Sequence, residues 1–223
     1  MSANSGGFIT FEGGEGSGKS TQVRRLVDRL RIQGLDVIET REPGGSPGAE
    51  VIRQVLLSGA AKALGAETEA MLFAAARADH VENLIRPALE RGAWVVCDRF
   101  HDSTRVYQGV LGNVDPKLIN ALERITVGDV KPDLTFVLDV PVETGLARTK
   151  ARGQALDRFE SEDPEYHNWL RVAYRKLAEN EPERCVIIDA SPNPDMVAVK
   201  IWMIVAERLL RPLRAAQTAG AAG

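Results

Sequence analysis

Residues 13–20 read Gly-Gly-Glu-Gly-Ser-Gly-Lys-Ser, a full match to G-x-x-x-x-G-K-[ST], and no other feature constrains the fold as strongly. The run follows the apolar segment Phe8–Phe11. It opens a helical pattern over Thr21–Leu35, in which Val23, Leu26, Val27 and Leu30 fall at i, i+3, i+4 and i+7. Strand, glycine-rich turn and helix in that order make a phosphate cradle. The backbone N–H groups of Gly13, Gly14, Gly16, Ser17 and Gly18 can curl around one phosphate, and the helix start adds its positive end. Lys19 is placed to reach the outer phosphates of a nucleoside triphosphate and Ser20 to ligate magnesium. Glu15 and Thr21 complete the nucleotide-binding run. An accidental glycine-rich turn would leave the flanking strand and helix as coincidences.

The rest of the chain repeats the alternation. Val37–Ile38, Trp94–Cys97, Leu134–Val140 and Cys185–Ile188 are apolar runs rich in β-branched residues, as strands buried on both faces require. Helical patterns lie between them at Glu67–Glu90, Pro116–Val127, Val142–Arg152, Pro164–Asn180 and Asp195–Leu210. In the longest, Met71, Ala74, Ala75, Ala78, Glu82, Ile85 and Leu89 define the expected core side. Strands alternating with helices predict an α/β fold with a parallel sheet. The 223 residues suit a single domain over 1–214 with a frayed tail at 215–223. Arg41–Gly48 reads as a loop, and the charged stretch around 152–163 as a mobile lid.

Twenty-eight basic residues against 31 acidic ones leave a net charge of −3, which argues against a general nucleic-acid binder. No apolar run reaches membrane length, and the N-terminus lacks a signal-peptide pattern, so neither a membrane nor export is expected. Cys97 and Cys185 sit in apolar runs and make no disulfide framework. The expected location is the cytoplasm.

A phosphate cradle alone does not separate a kinase from a GTPase or an ATPase. The base-reading Asn-Lys-x-Asp of a GTPase is absent from the sequence. Asp98-Arg99 ends the strand Trp94–Cys97, and ligand crevices in open α/β sheets lie at the carboxyl ends of strands. Asp98 is thereby placed to hold magnesium or its waters, and Arg99 to grip a phosphate. Arg41 also follows a strand, so two arginines beside the cradle point to a second anionic site, as transfer to a phosphorylated acceptor requires. Phe73 and Arg77, four apart on one helix, share a face suited to stacking on a base and hydrogen-bonding it. The periodicity puts that face away from the expected core side, and a plain packing contact is the alternative.

Taken together, Gly13–Ser20, Arg41-Glu-Pro-Gly-Gly45, Phe73-Ala-Ala-Ala-Arg77, Asp98-Arg-Phe100, Ser103-Thr104-x-x-Tyr107-Gln108-Gly109, Pro132-Asp133-Leu134 and Leu138-Asp139-Val140 resemble the bacterial thymidylate kinases. The likeness runs from about Phe8 to Asp189. It implies a P-loop kinase fold, a five-stranded parallel sheet of order 2-3-1-4-5 flanked by helices under a short lid. It also implies a homodimer and transfer of the γ-phosphoryl of ATP to dTMP, with Mg2+, in the formation of dTDP. Phe73 would then stack on thymine and Arg77 would bond its O4. Arg99 and Arg41 would bind the dTMP phosphate, while Ser103, Thr104 and Gln108 line the base pocket. Tyr107 would lie against the sugar C2′, Glu15 near the 3′-OH or acceptor phosphate, and Arg148 near the ATP base. Family members carry a catalytic arginine either in the P-loop or in the lid. This P-loop has none, which leaves Arg152 or Arg158, and Arg152 is the expected one beside Lys19, Arg99, Glu15 and Asp98.

The alternatives are a kinase on the same fold that acts on a different nucleoside monophosphate or on a deoxynucleoside, and a regulatory ATPase that forms no dTDP. His80 and His167 are expected on helix surfaces. Trp94 and Trp202 are expected to pack, and the two cysteines to serve as small core residues.

Overall fold

Five short segments rich in β-branched and aromatic residues form the strands β1 (Phe8–Glu12), β2 (Val37–Arg41), β3 (Trp94–Asp98), β4 (Leu134–Asp139) and β5 (Cys185–Asp189). The computed structural model describes residues 6–153 and 158–211. All strand pairings are parallel, in the order β2-β3-β1-β4-β5, as the resemblance implies. Strand β1 lies in the middle with every residue buried. Covered on both faces, its first four residues read as a largely apolar run rather than an alternation of apolar and polar positions.

Helices cover both faces. On one, Val23, Val27 and Leu30 of α1 (Lys19–Ile32) meet Phe11 and Phe136 of the sheet and Ile201 of α9 (Pro194–Val205). The other face carries two clusters. Val81, Ile85 and Ala88 pack on Phe8 and Val95, while Leu170 and Tyr174 of α8 (Pro164–Asn180) pack on Val137. Each fully buried side chain of this size contributes roughly 1.5–3 kcal/mol, so the strands are held chiefly by the helices that cover them.

The helical periodicity misplaced one face. The expected helix over Glu67–Glu90 is α3 (Gly65–His80), a π-helical turn (Val81–Ile85) and α4 (Arg86–Glu90). Ala74 and Ile85 are buried as expected, but Met71 is 46% exposed and Ala75 and Glu82 are also exposed, whereas Ala70, Arg77 and His80 are buried. The core side is therefore turned towards Arg77, whose charge is buried with a partner, and the π turn rotates α4 relative to α3. The loop expected over Arg41–Gly48 also ends early. Pro47 and Gly48 form the first turn of α2 (Pro47–Leu57), where a proline at the first helical position is favourable. A further helix the periodicity did not show, α5 (His101–Thr104) with its π-helical continuation Arg105–Leu111, follows β3. Two more, α6 (Pro116–Thr126) and α7 (Val142–Ala151), agree with the expected spans. The tail 215–223 and lid residues 154–157 lie outside the described residues.

Phe11 pairs with Asp98 and Asp98 with Arg41, so β1, β2 and β3 end level with one another. Their loops open at one edge of the sheet, and the site is built there.

Candidate active site

The turn after β1 needs glycine at two points. Gly13 has φ 133°, and a Cβ there would lie 2.5 Å from the Leu138 carbonyl oxygen. Gly16 has φ 66°, and a Cβ there would lie 2.0 Å from the Gly145 carbonyl oxygen. Only a residue without a side chain lets the loop pass so close to β4 and α7. Gly18 then starts α1 from a left-handed conformation. The Lys19 Nζ donates to the carbonyls of Gly13 (3.1 Å) and Gly14 (2.8 Å). Burial and the nearby Arg99 guanidinium lower its pKa.

Above this loop lies a cleft of about 630 Å³, within the range of nucleotide-sized pockets. Apart from Arg158, and from Gly13 and Gly14, which line a smaller neighbouring cavity, every residue proposed from sequence for the site lines it. At the cradle end are Glu15, Gly16, Ser17, Gly18, Lys19, Ser20 and Thr21. Arg148 and Arg152 of the α7 region and Asp98 stand beside them. At the other end are Arg41, Phe73, Arg77, Ser103, Thr104, Tyr107 and Gln108, and Arg99 lies between the two groups.

Arg99 sits at φ 69°, unusual for a residue with a side chain. Its Nη2 donates to Glu15 Oε1 at 2.5 Å, and its Nη1 to Gly13 O (3.2 Å) and Tyr174 Oη (3.1 Å). Tyr107 also donates to Glu15 Oε1, at 2.8 Å. Burial alone would raise the Glu15 carboxyl, but Arg99, Lys19 and the Tyr107 hydroxyl outweigh it and hold the pKa at about 2. Ser20 Oγ donates to Asp98 Oδ2 at 2.5 Å, bringing two oxygen ligands together beside the cradle. Among the described residues no group of three or more His, Cys, Asp or Glu gathers to hold a metal. One hydroxyl and one carboxylate, with phosphates and waters to complete the shell, is how Mg2+ is usually held, so the donor set fits that ion.

At the far end Arg77 is buried. Its Nε donates to Glu42 Oε2 (2.8 Å), and its Nη2 to Phe100 O (3.2 Å) and Thr104 Oγ1 (3.1 Å). Nη1 carries no hydrogen bond among the described residues and stays available to a ligand. His80 corrects its sequence reading. It is fully buried, hydrogen-bonded to Thr40 Oγ1 (2.8 Å) and Glu42 Oε1 (3.1 Å). Arg77 and His80, three apart on one helix face, converge on Glu42 where β2 ends. His167, also expected on a surface, is 4% exposed and faces the second, smaller cavity beside Gly14. The burial of His80 follows from a carboxylate that no helical pattern reveals. Phe73 is half-buried with its ring 6.3 Å from that of Phe159. Cys97 and Cys185 are buried and free, and Trp94 is core.

The family model for thymidylate kinase matches residues 11–201. The chain belongs to the thymidylate kinase family. A thymidylate kinase of Nitrobacter winogradskyi is 61% identical over 207 residues, covering 92% of this chain and 90% of its own. One of Rhodopseudomonas palustris is 60% identical over 213 residues, covering 94% and 93%. The crystal structure of thymidylate kinase from Ehrlichia chaffeensis aligns at TM-score 0.74 and 32% identity, over 90% of this chain and 99% of that one. Phosphorylation of dTMP to dTDP is what the thymidylate kinase name denotes.

Within this thymidylate kinase fold, three residues of the site escaped the sequence. Glu12 is fully buried under the cleft and accepts from Phe100 N (2.8 Å), Ser103 Oγ (2.7 Å) and Tyr174 Oη (2.9 Å). Burial, then Asp102, pushes its carboxyl up to about 7. The available signal was a lone acid closing an otherwise apolar strand. Glu42 directly follows β2, one residue after Arg41, and the polar run around it gave no such signal. Tyr174, inside an ordinary amphipathic helix, gave no signal. Both carboxylates hold functional side chains in place: Glu12 holds Ser103, and Glu42 holds Arg77.

The several groups on Arg99 make a specific expectation. Lysine keeps the charge but cannot reach Glu15, Gly13 and Tyr174 from one planar group. Arg99→Lys is expected to raise KM for dTMP about tenfold or more, since buried charge-assisted bonds contribute about 1.5–3 kcal/mol. The dissociation constant for ATP alone, measured by titration, should barely move. A loss on the ATP side instead would put Arg99 in the donor half.

Proposed function

We propose that the cleft binds ATP on residues 13–21 and dTMP between Phe73, Arg77 and the α5 segment, and that Arg99 works where the two phosphate chains meet. The observation that carries this reading is the division of one cleft into a glycine-rich phosphate cradle and an aromatic-arginine pocket, joined by Arg99 and Glu15. The backbone amides of Gly16–Lys19 and the Lys19 ammonium take the ATP phosphates. Arg148, which donates to Ala190 O (3.0 Å) and Ser191 O (3.2 Å), closes the rim beside the adenine. Ser20 and Asp98 would hold Mg2+, which when bound neutralises the oxygens of the donor phosphates. On the acceptor side Phe73 stacks on the base, Arg77 Nη1 bonds its O4, and Ser103, Thr104 and Gln108 close the pocket. Arg41, paired with Glu50 at 2.9 Å, and Arg99 take the acceptor phosphate. Phosphoryl transfer asks the protein mainly to align and to neutralise charge, and the arginines and Lys19 do so although the chain as a whole is acidic.

Tyr107, its hydroxyl held by Glu15, presents its ring where a 2′-hydroxyl would sit. Arg152 of the lid supplies the cation that the P-loop lacks. Exposed Val51, Val55 and Met71 on α2 and α3 would be covered in a homodimer. No described helix is long and apolar enough to cross a membrane, and two free buried cysteines suit a reducing cytoplasm.

A panel of acceptors with ATP tests the reading. We expect dTMP to exceed dUMP modestly in kcat/KM, as one methyl in an apolar pocket is worth roughly 1–3 kcal/mol. UMP should fall below dUMP. Equal values for dTMP and UMP would remove both the base and the sugar assignments.

A further inference from the structure

Beside the acceptor pocket lies a buried carboxylate that the reaction does not use. Glu69 of α3 is 4% exposed. Its Oε1 accepts from Gln108 Nε2 at 2.7 Å, and its Oε2 is ion-paired with Arg158. Gln108 is itself 3% exposed and lines the cleft with Phe73 and Arg77. A carboxylate paired with a guanidinium offers acceptors only, so the amide of Gln108 has one permitted orientation: NH2 towards Glu69. Its carbonyl Oε1 carries no hydrogen bond among the described residues and is the atom left for the cleft. Arg77 Nη1 can only donate. Arg77 and Gln108 therefore offer the edge of a base one donor and one acceptor.

We propose that Glu69 sets base selectivity by locking the Gln108 amide so that a carbonyl oxygen, not an NH2 group, meets the acceptor base. The inference rests on the proposed dTMP site and deepens it. Thymine and uracil carry an N3–H beside a C4 carbonyl, which complements an acceptor beside a donor. Cytosine carries a bare N3 beside an amino group, which opposes both. Leaving one buried polar atom unpaired costs more than the bond it replaces is worth, so the orientation of a single amide discriminates strongly. Glu69 does not touch substrate, and it acts as a positioning residue through Gln108.

Glu69→Gln makes the test sharp. The new amide has one acceptor, and Arg158, a pure donor, takes it. The NH2 of residue 69 then faces Gln108, whose carbonyl must turn towards it, so that the Gln108 NH2 turns into the cleft. The measured quantity is the ratio of kcat/KM for dTMP to that for dCMP. It is expected to fall at least about tenfold in Glu69→Gln, with KM for ATP unchanged. In a Gln108→Leu background the same substitution should change the ratio by less than about twofold, since the two residues act as a unit. Equal effects on dTMP and dCMP, no effect, or an effect that persists without Gln108 would overturn the proposal. Glu69→Met, which frees the amide to turn either way, should lower the ratio by a smaller factor. If only that variant folds, an unchanged ratio in it overturns the proposal equally. A wild-type enzyme with no preference for dTMP over dCMP would instead overturn the base reading itself, and this inference with it.

Discussion

Lys19→Ala is expected to lower kcat/KM for phosphoryl transfer at least about 10³-fold, while the melting temperature of the ligand-free protein stays within a few degrees. The two halves of this expectation come from different observations. Among the described residues Lys19 Nζ bonds only the P-loop itself, the carbonyls of Gly13 and Gly14 and more distantly Ser17 Oγ, and it belongs to no apolar cluster. Burial disfavours its charge, so folding gains little from keeping it. Its worth appears only when phosphate oxygens replace those carbonyls. Near-normal turnover in the variant would make the glycine-rich run structural. A large loss of apo stability would mean the lysine serves the loop before it serves a nucleotide.

Arg152→Ala is the second large effect: kcat lower by at least about 10²-fold, with KM for dTMP within a few-fold. An arginine acting in the transition state of phosphoryl transfer is worth about 10³–10⁵ in kcat, and such a group moves kcat and kcat/KM together. Arg152 caps the C-terminus of α7, lines the cleft and is ion-paired with Glu160, a bond it would exchange for phosphate during transfer. Gly153 comes next at φ 68°, a conformation glycine adopts without strain. Arg158 is differently placed. It pairs with Glu69 and lies over the Phe159 ring, on the acceptor side. Steady-state kinetics of both alanine variants decide. If Arg152→Ala turns over normally and Arg158→Ala does not, the role passes to Arg158; if both turn over normally, no lid arginine is used.

The parts of this molecule legible in sequence are those where one local rule suffices. A strand covered on both faces must be apolar along its length, so β1, β3 and β4 stand out, and the glycines of the P-loop record close approaches to Leu138 and Gly145. Arg41, Asp98 and Arg99 were found because they lie at the ends of such strands. Legibility ends where polar groups are buried against distant partners. Helix α3 turns Arg77 and His80 inward because Glu42, some 35 residues earlier, receives both. A hydrophobic pattern treats those residues as solvent-facing and puts Met71 in the core. Glu12 and Tyr174, 162 positions apart, meet under the cleft for the same reason. Helix α2 escaped because the proline and glycine that begin it continue a loop-like run. Glu69 looks like any helical glutamate until Gln108 and Arg158 are seen to share it.

The most direct test of the two-substrate cleft counts products. Wild-type protein with ATP, Mg2+ and dTMP is sampled over time, and the nucleotides are separated and quantified. The expected result is one dTDP formed for each ADP, with ADP formation slow when dTMP is omitted. ADP accumulating at the same rate without dTMP, or with no dTDP appearing, would contradict it.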